Sequence, residues 1–152
     1  MKTIITLCLL LSVSVGKVST RTDSFTGVTT MSTDILRSAA IYANGRSEKM
    51  EYILNLEVSG STVTYDGIGA FVLFQDGSVW KKEKAPISVT FRSEFKYYCY
   101  IDLTIEDMKL FSEKKIDKIK LYVFENSMSE AHSVQFKSEV KEVLGLTEQF
   151  KE

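Results

Sequence analysis

Glu51-Tyr52-Ile53-Leu54-Asn55-Leu56-Glu57-Val58-Ser59 is the stretch on which the fold turns. Tyr52, Leu54, Leu56 and Val58 alternate with Glu51, Asn55 and Glu57. A period of two with one apolar face is the pattern of a half-buried strand. Working outward, Phe95-Lys96-Tyr97-Tyr98-Cys99-Tyr100-Ile101-Asp102-Leu103 repeats the pattern, with every second residue from Phe95 apolar or aromatic. Ile87, Val89 and Phe91 alternate with Ser88, Thr90 and Arg92, giving another strand. Pro86, the sole proline, marks the end of the preceding strand, which starts at Ser78 and dissolves into Lys81-Lys82-Glu83-Lys84. Ile68 to Phe74 is continuously apolar apart from Gly69, which predicts a central strand covered on both faces. Asp76-Gly77 reads as a two-residue turn, setting Phe74 against Val79 and Leu73 against Trp80. Ser59-Gly60-Ser61 and Asp66-Gly67 are further turn signals.

Toward the N-terminus the pattern weakens. Thr33 is a plausible cap for a short helix, but Asn44-Gly45 before the next apolar run suits a hairpin, so 35–43 is taken as a strand. Residues 17–34 are rich in Ser and Thr and read as a flexible leader, with room for one short edge strand. Toward the C-terminus the character changes. Thr104-Ile105-Glu106-Asp107 resembles a capping box, and Ile105, Met108 and Phe111 share a helical face of about two turns, ended by Lys114-Lys115. Residues 116–124 form a strand with Ile119, Leu121 and Val123 on one face and Lys118, Lys120 and Tyr122 on the other. Ser127-Met128-Ser129-Glu130 is a second capping box. Met128, His132, Phe136, Val140, Val143 and Leu144 then make a stripe at helical spacing, with Gly145 at the C-terminal cap and a frayed tail over 146–152. No repeat or internal linker interrupts 35–145, which therefore reads as one domain. The expected class is α+β, mainly β: an antiparallel sheet or sandwich of six to seven strands, one short helix and one longer C-terminal helix docked on a sheet face.

The chain has 152 residues, 44% hydrophobic and 26% charged, the balance of an ordinary globular domain. Met1-Lys2-Thr3 precedes an apolar run from Ile4 to Val15, and small residues Ser14 and Gly16 stand where a peptidase cutting after Gly16 wants them. Residues 1–16 therefore read as a secretory signal peptide, well short of the roughly 20 apolar residues a spanning helix needs. No transmembrane segment is expected in the mature chain. The 19 basic residues less Lys2 leave 18 against 20 acidic ones, a mature charge of −2. That balance argues against nucleic acid as a partner, since phosphate binding needs a basic field. Cys8 belongs to the leader, so Cys99 is the one cysteine of the mature chain and no internal disulfide is possible. It sits on the apolar face of its strand and reads as a buried thiol.

Few chemistries survive inspection. His132 is the only histidine and reads as a helix-face residue. There is no H-E-x-x-H, C-x-x-C or second histidine for a metal, no G-x-S-x-G, and no phosphate-binding glycine loop, so neither a metal site nor a cofactor is expected. Glu106-Asp107, the only adjacent pair of acids in the sequence, sits in a first helical turn, where acids offset the dipole. The 17 aromatic residues are the feature to follow. Tyr98 and Tyr100 lie opposite the face of Phe95, Tyr97 and Cys99, and Tyr122 and Phe124 occupy the outer face of the later strand. If those strands are neighbours, the four rings form an exposed candidate ligand face, unless the last helix covers it. The Asp76-Gly77 tip with Trp80 is a candidate loop contact.

Leu103-Thr104-Ile105-Glu106-Asp107-Met108 through Lys115-Ile116-Asp117-Lys118-Ile119-Lys120-Leu121-Tyr122-Val123-Phe124, followed by a polar turn and a helix, resembles a pattern in small exported proteins of Bacteroidetes-type bacteria. The resemblance implies a bacterial exported domain, periplasmic, cell-surface or extracellular, and brings no catalytic or binding residue with it. The reading taken is an exported, non-enzymatic domain that binds an unidentified glycan or protein. The alternatives are a secreted hydrolase using carboxylates or a serine, and a secreted inhibitor-like protein acting through a loop.

Overall fold

The computed structural model describes residues 18–34, 38–46, 49–63, 67–91 and 93–149. The signal-peptide reading of 1–16 and the turn signal at Asp66 lie outside them. Ten strands and two helices are described: β1 Ser19–Thr22, β2 Thr29–Ser32, β3 Ala39–Arg46, β4 Lys49–Gly60, β5 Ile68–Phe74, β6 Val79–Pro86, β7 Ser88–Phe91, β8 Phe95–Leu103, α1 Ile105–Glu113, β9 Ile116–Leu121, β10 Phe124–Ser127 and α2 Glu130–Gln149. The strands form two antiparallel sheets, one of six in the order β1-β2-β3-β4-β8-β7 and one of four in the order β10-β9-β5-β6. The fold is thus mainly β with a short helix and a longer C-terminal one, as the alternating patterns require. Neither described helix is long and apolar enough to cross a membrane.

The period-two reading is exact on the large sheet. Leu54, Leu56 and Val58 of β4 and Tyr97 and Cys99 of β8 are buried on one face, with Leu56 opposite Cys99 and Val58 opposite Tyr97. The four-stranded sheet and α2 lie against that face, through β9 and β10 on β4 and α2 on β3. Phe111 of α1 joins the layers. Its ring meets Trp80 edge-on at 5.2 Å, Phe74 at 5.6 Å and Phe136 of α2 at 6.2 Å. Burial of rings of this size dominates a core.

Several expectations shift. The Ser/Thr-rich leader is a hairpin: β1 pairs with β2 and β2 with β3, and Thr29 and Met31 are buried. Thr33 extends that pairing, its N–H donating to Ile41 O and its Oγ1 accepting from Ile41 N. Asn44 and Gly45 are not the turn; they stay in β3 opposite Glu51 and Met50. The Asp76-Gly77 loop has three residues rather than two. Phe74 N donates to Ser78 O, Gly77 takes φ +83°, and Leu73 faces Val79 and Val72 faces Trp80. A left-handed glycine closing a three-residue loop accounts for the one-residue shift. β5 is central but covered on one face only: Ala70, Val72 and Phe74 are buried, while Phe71 and Leu73 are half-exposed.

The strand expected over 116–124 ends at Leu121. Tyr122 turns at φ +55° and the chain returns as β10, with Phe124 opposite Leu121. At α2 it is Ser129, not Ser127, that caps, its Oγ accepting from His132 N. The helix runs through Gly145, and Leu146 and Thr147 of the expected tail pack, Tyr52 Oη donating to Thr147 Oγ1 at 3.0 Å. β6 and β7 are nearly continuous, with Ile87 alone between them, so one run of chain passes from the small sheet to the large one at Pro86.

Candidate functional site

Because the second layer and α2 cover the Leu54–Cys99 side of the large sheet, its other side is open. Tyr98 and Tyr100 of β8 stand there, cross-strand from Glu57 and Asn55 of β4. Tyr100 is 58% exposed, and its ring meets that of Tyr98 at 6.0 Å and 76°. The two rings make a corner rather than a flat platform. They border a groove of about 450 Å³ whose other walls are Asn55, Glu57, Thr90, Ser93, Glu94 and Lys96. Lys96 is fixed by Glu94 at 2.6 Å, Glu57 at 3.5 Å and the Ser59 hydroxyl at 2.9 Å. The hydrogen bond from Lys96 holds Glu94 below the usual carboxylate range, and the same bond raises Lys96. Asn55 Oδ1 is shut off from solvent and accepts no hydrogen bond among the described residues. A buried acceptor left unpaired costs about 1–3 kcal/mol, a local cost to stability and not a contact presented to the groove.

The structure does not bring the four candidate rings together, because β8 and β9 belong to different sheets. Phe124 is half-buried between the layers, stacked on Tyr97 at 4.6 Å and 30°, on the opposite face of β8 from Tyr98. Tyr122 stands in the turn before β10 with its side chain against Gly67. Tyr97 itself is fully buried and its hydroxyl donates to Thr62 O. The loop candidate separates in the same way. Trp80 is 7% exposed and its indole N–H donates to Asp107 Oδ1 at 2.7 Å. Only Asp76 and Gly77 remain at the tip. There Asp76 is bonded to Lys114 at 2.8 Å and to Ser78, contacts that hold its carboxyl far below the usual range.

Two further features bear on chemistry. A polar cleft of about 730 Å³ gathers His132, Glu57, Glu125, Lys96 and the serines 38, 59, 127 and 129. Sequence spacing gave no sign of it, because these residues come from just before β3, from β4, β8 and β10, and from the start of α2. Its elements do not form a nucleophile–base pair: the Ser129 hydroxyl accepts from the His132 backbone N–H, and no bond joins the imidazole to a serine among the described residues. Burial pushes the carboxyl of Glu139 up, but Glu139 is on the buried face of α2 and lines neither depression. Cys99 is buried, its thiol donates to Pro86 O at 3.1 Å, and burial pushes it up to about 11, so it is a poor nucleophile near neutral pH. Among the described residues no three His, Cys, Asp or Glu side chains gather as a metal site.

Comparison of the chain with protein-family models, with curated proteins and with solved structures finds no match.

Proposed function

We propose that the chain is an exported, non-enzymatic module that binds an oligosaccharide on the open face of its six-stranded sheet. The observation that carries this reading is the Tyr98–Tyr100 corner beside the fixed Glu57–Lys96–Glu94 cluster. Sugar rings present apolar C–H faces and a rim of hydroxyls. Exposed aromatic rings take the first, and a small number of fixed polar groups take the second. Tyr100 offers the ring, and the carboxylates of Glu57 and Glu94, held in place by Lys96, accept from the hydroxyls. Export is supported by the leader-like Met1–Gly16. Against hydrolysis of the bound glycan stands the ion pairing of Glu94: a general acid needs a raised pKa, and Lys96 moves this one down.

The test is a glycan array followed by calorimetry on the chain lacking Met1–Gly16. Tyr100→Ser, at an exposed position, leaves stability within about 0.5 kcal/mol and weakens binding about tenfold. Glu94→Ala, also at an exposed position, weakens binding without a loss of folding. Absence of any glycan ligand, or equal binding by both variants, defeats the proposal; release of reducing ends would replace it with the hydrolase.

A further inference from the structure

The exchange of chain between the sheets opens a wedge. β7 pairs with β8 only as far as Ser88 opposite Tyr98. Before Ser88 the chain peels away as β6 to pair with β5. β8 does not follow: it stays paired with β4 to Leu103, opposite Tyr52. Tyr100 to Leu103 are therefore strand with a partner on one side and no strand on the other among the described residues. β6 is itself the last strand of its sheet. The two edges border a cleft of about 750 Å³, walled by residues 81–86 on one side and Tyr100, Ile101 and Asp102 on the other. Opposite Gly69, at φ +99°, the β5–β6 register jumps from Ala70–Lys82 to Ile68–Pro86, so residues 83–85 bulge out of the ladder. Such bulges re-aim side chains at sheet edges.

We propose that this wedge takes an extended acidic segment of a partner protein as an added strand on the Tyr100–Leu103 edge of β8. An open strand edge supplies main-chain hydrogen bonds to an incoming strand, and flanking side chains choose it. Side chains of the added strand alternate between the two faces of the large sheet. Those on the covered face, the side of Ile101 and Leu103, turn toward β6. There Lys84 makes no ion pair among the described residues, while Lys82 has a 3.5 Å contact with Asp107 and lies 5.5 Å from the centre of the Trp80 ring. Lys81 is already bonded to Glu83 at 2.6 Å. Carboxylates fit this side. On the open face Tyr100 and Asp102 suit apolar or basic residues. Lysines along an edge keep unselected strands away, so acidity is the condition of entry. Tyr100 borders both the wedge and the glycan groove, whereas Tyr98 lines the groove and not the wedge.

The probes are short capped peptides: one alternating valine and glutamate, one with lysine for glutamate, and the glutamate form with alternate backbone nitrogens methylated. Anisotropy and amide exchange are read on the chain lacking Met1–Gly16. The glutamate peptide binds and slows exchange within Tyr100–Leu103. The lysine peptide binds at least about tenfold more weakly, and methylation abolishes binding. Lys84→Glu, at an exposed position, narrows or reverses the charge preference, while Tyr98→Ser leaves it unchanged. No binding, equal binding of both charge forms, or binding without protection of these amides overturns the proposal. So does a sulfated oligosaccharide that protects the same amides when the glutamate peptide does not.

Discussion

Asp107 accepts from three directions at once: Trp80 Nε1 at 2.7 Å, Thr104 N at 3.1 Å and Lys82 Nζ at 3.5 Å. Burial pushes its carboxyl up, but these donors together outweigh burial and hold it below the usual range. A depressed native pKa contributes stability above the unfolded value, and that stability is lost as the pH falls through the native one. Trp80→Phe keeps the ring against Phe111 and removes one donor, so urea unfolding should show a loss of about 1–2 kcal/mol at neutral pH that narrows on acidification. Glu139 runs the other way. It is fully buried with Oε2 unpaired among the described residues; burial raises its carboxyl, a hydrogen bond from Gln135 opposes the rise, Asp34 raises it by charge but lowers it through its backbone N–H, and Glu142 adds to the rise. Its contribution is present below the unfolded pKa and lost as the pH rises through the raised native one. Glu139→Gln should therefore stabilise the chain at neutral pH by on the order of 1 kcal/mol, a gain that disappears when melting is repeated in acid. An unchanged difference across pH would assign the effect to packing. Neither residue was legible in sequence as an acid wholly or partly withdrawn from solvent. Asp107 reads as a cap, which it also is, and Glu139 falls between the apolar positions of its helix.

At the scale of elements, alternation made β4, β7 and β8 readable because each sets apolar residues against polar ones on a sheet with one covered face. β1, β2 and β10 are four residues each and carry mostly Ser, Thr and Asn, so their place comes from pairing with longer neighbours. The face of α2 was read through Met128, His132 and Phe136, yet Ser133, Glu139 and Thr147 are among its buried positions. A stripe drawn from apolar residues alone leaves such positions out. The hairpin between β5 and β6 depends on Gly77 at φ +83°, where an added Cβ meets nothing within 4 Å. Gly77→Ala thus isolates the cost of the left-handed backbone, about 1–2 kcal/mol in a denaturant titration. A smaller loss would mean that the loop relaxes to the two-residue form, a change visible as altered exchange at Val79 and Trp80.

For the whole molecule, the arrangement of layers decided which part of the site could be foreseen. That Tyr98 and Tyr100 share a face follows from strand period alone; that the face is open follows only from α2 and the small sheet both lying on the other side. The separation of Tyr122 and Phe124 from them reflects sheet membership, which no local pattern encodes. The same sidedness makes adjacent residues of β5 unequal. Val72 is fully buried between the sheets, while Leu73 points to the outer surface of the small sheet beside Val79 and Lys118. Val72→Ala should cost about 2–3 kcal/mol through lost burial and an unfilled cavity. Leu73→Thr, keeping a side chain that suits an exposed strand, should stay within about 0.5 kcal/mol. The ratio of the two losses, read from one set of urea curves, measures whether β5 is covered once or twice. Comparable losses would require a third layer over the outer face, and with it a different account of how the two sheets share the core.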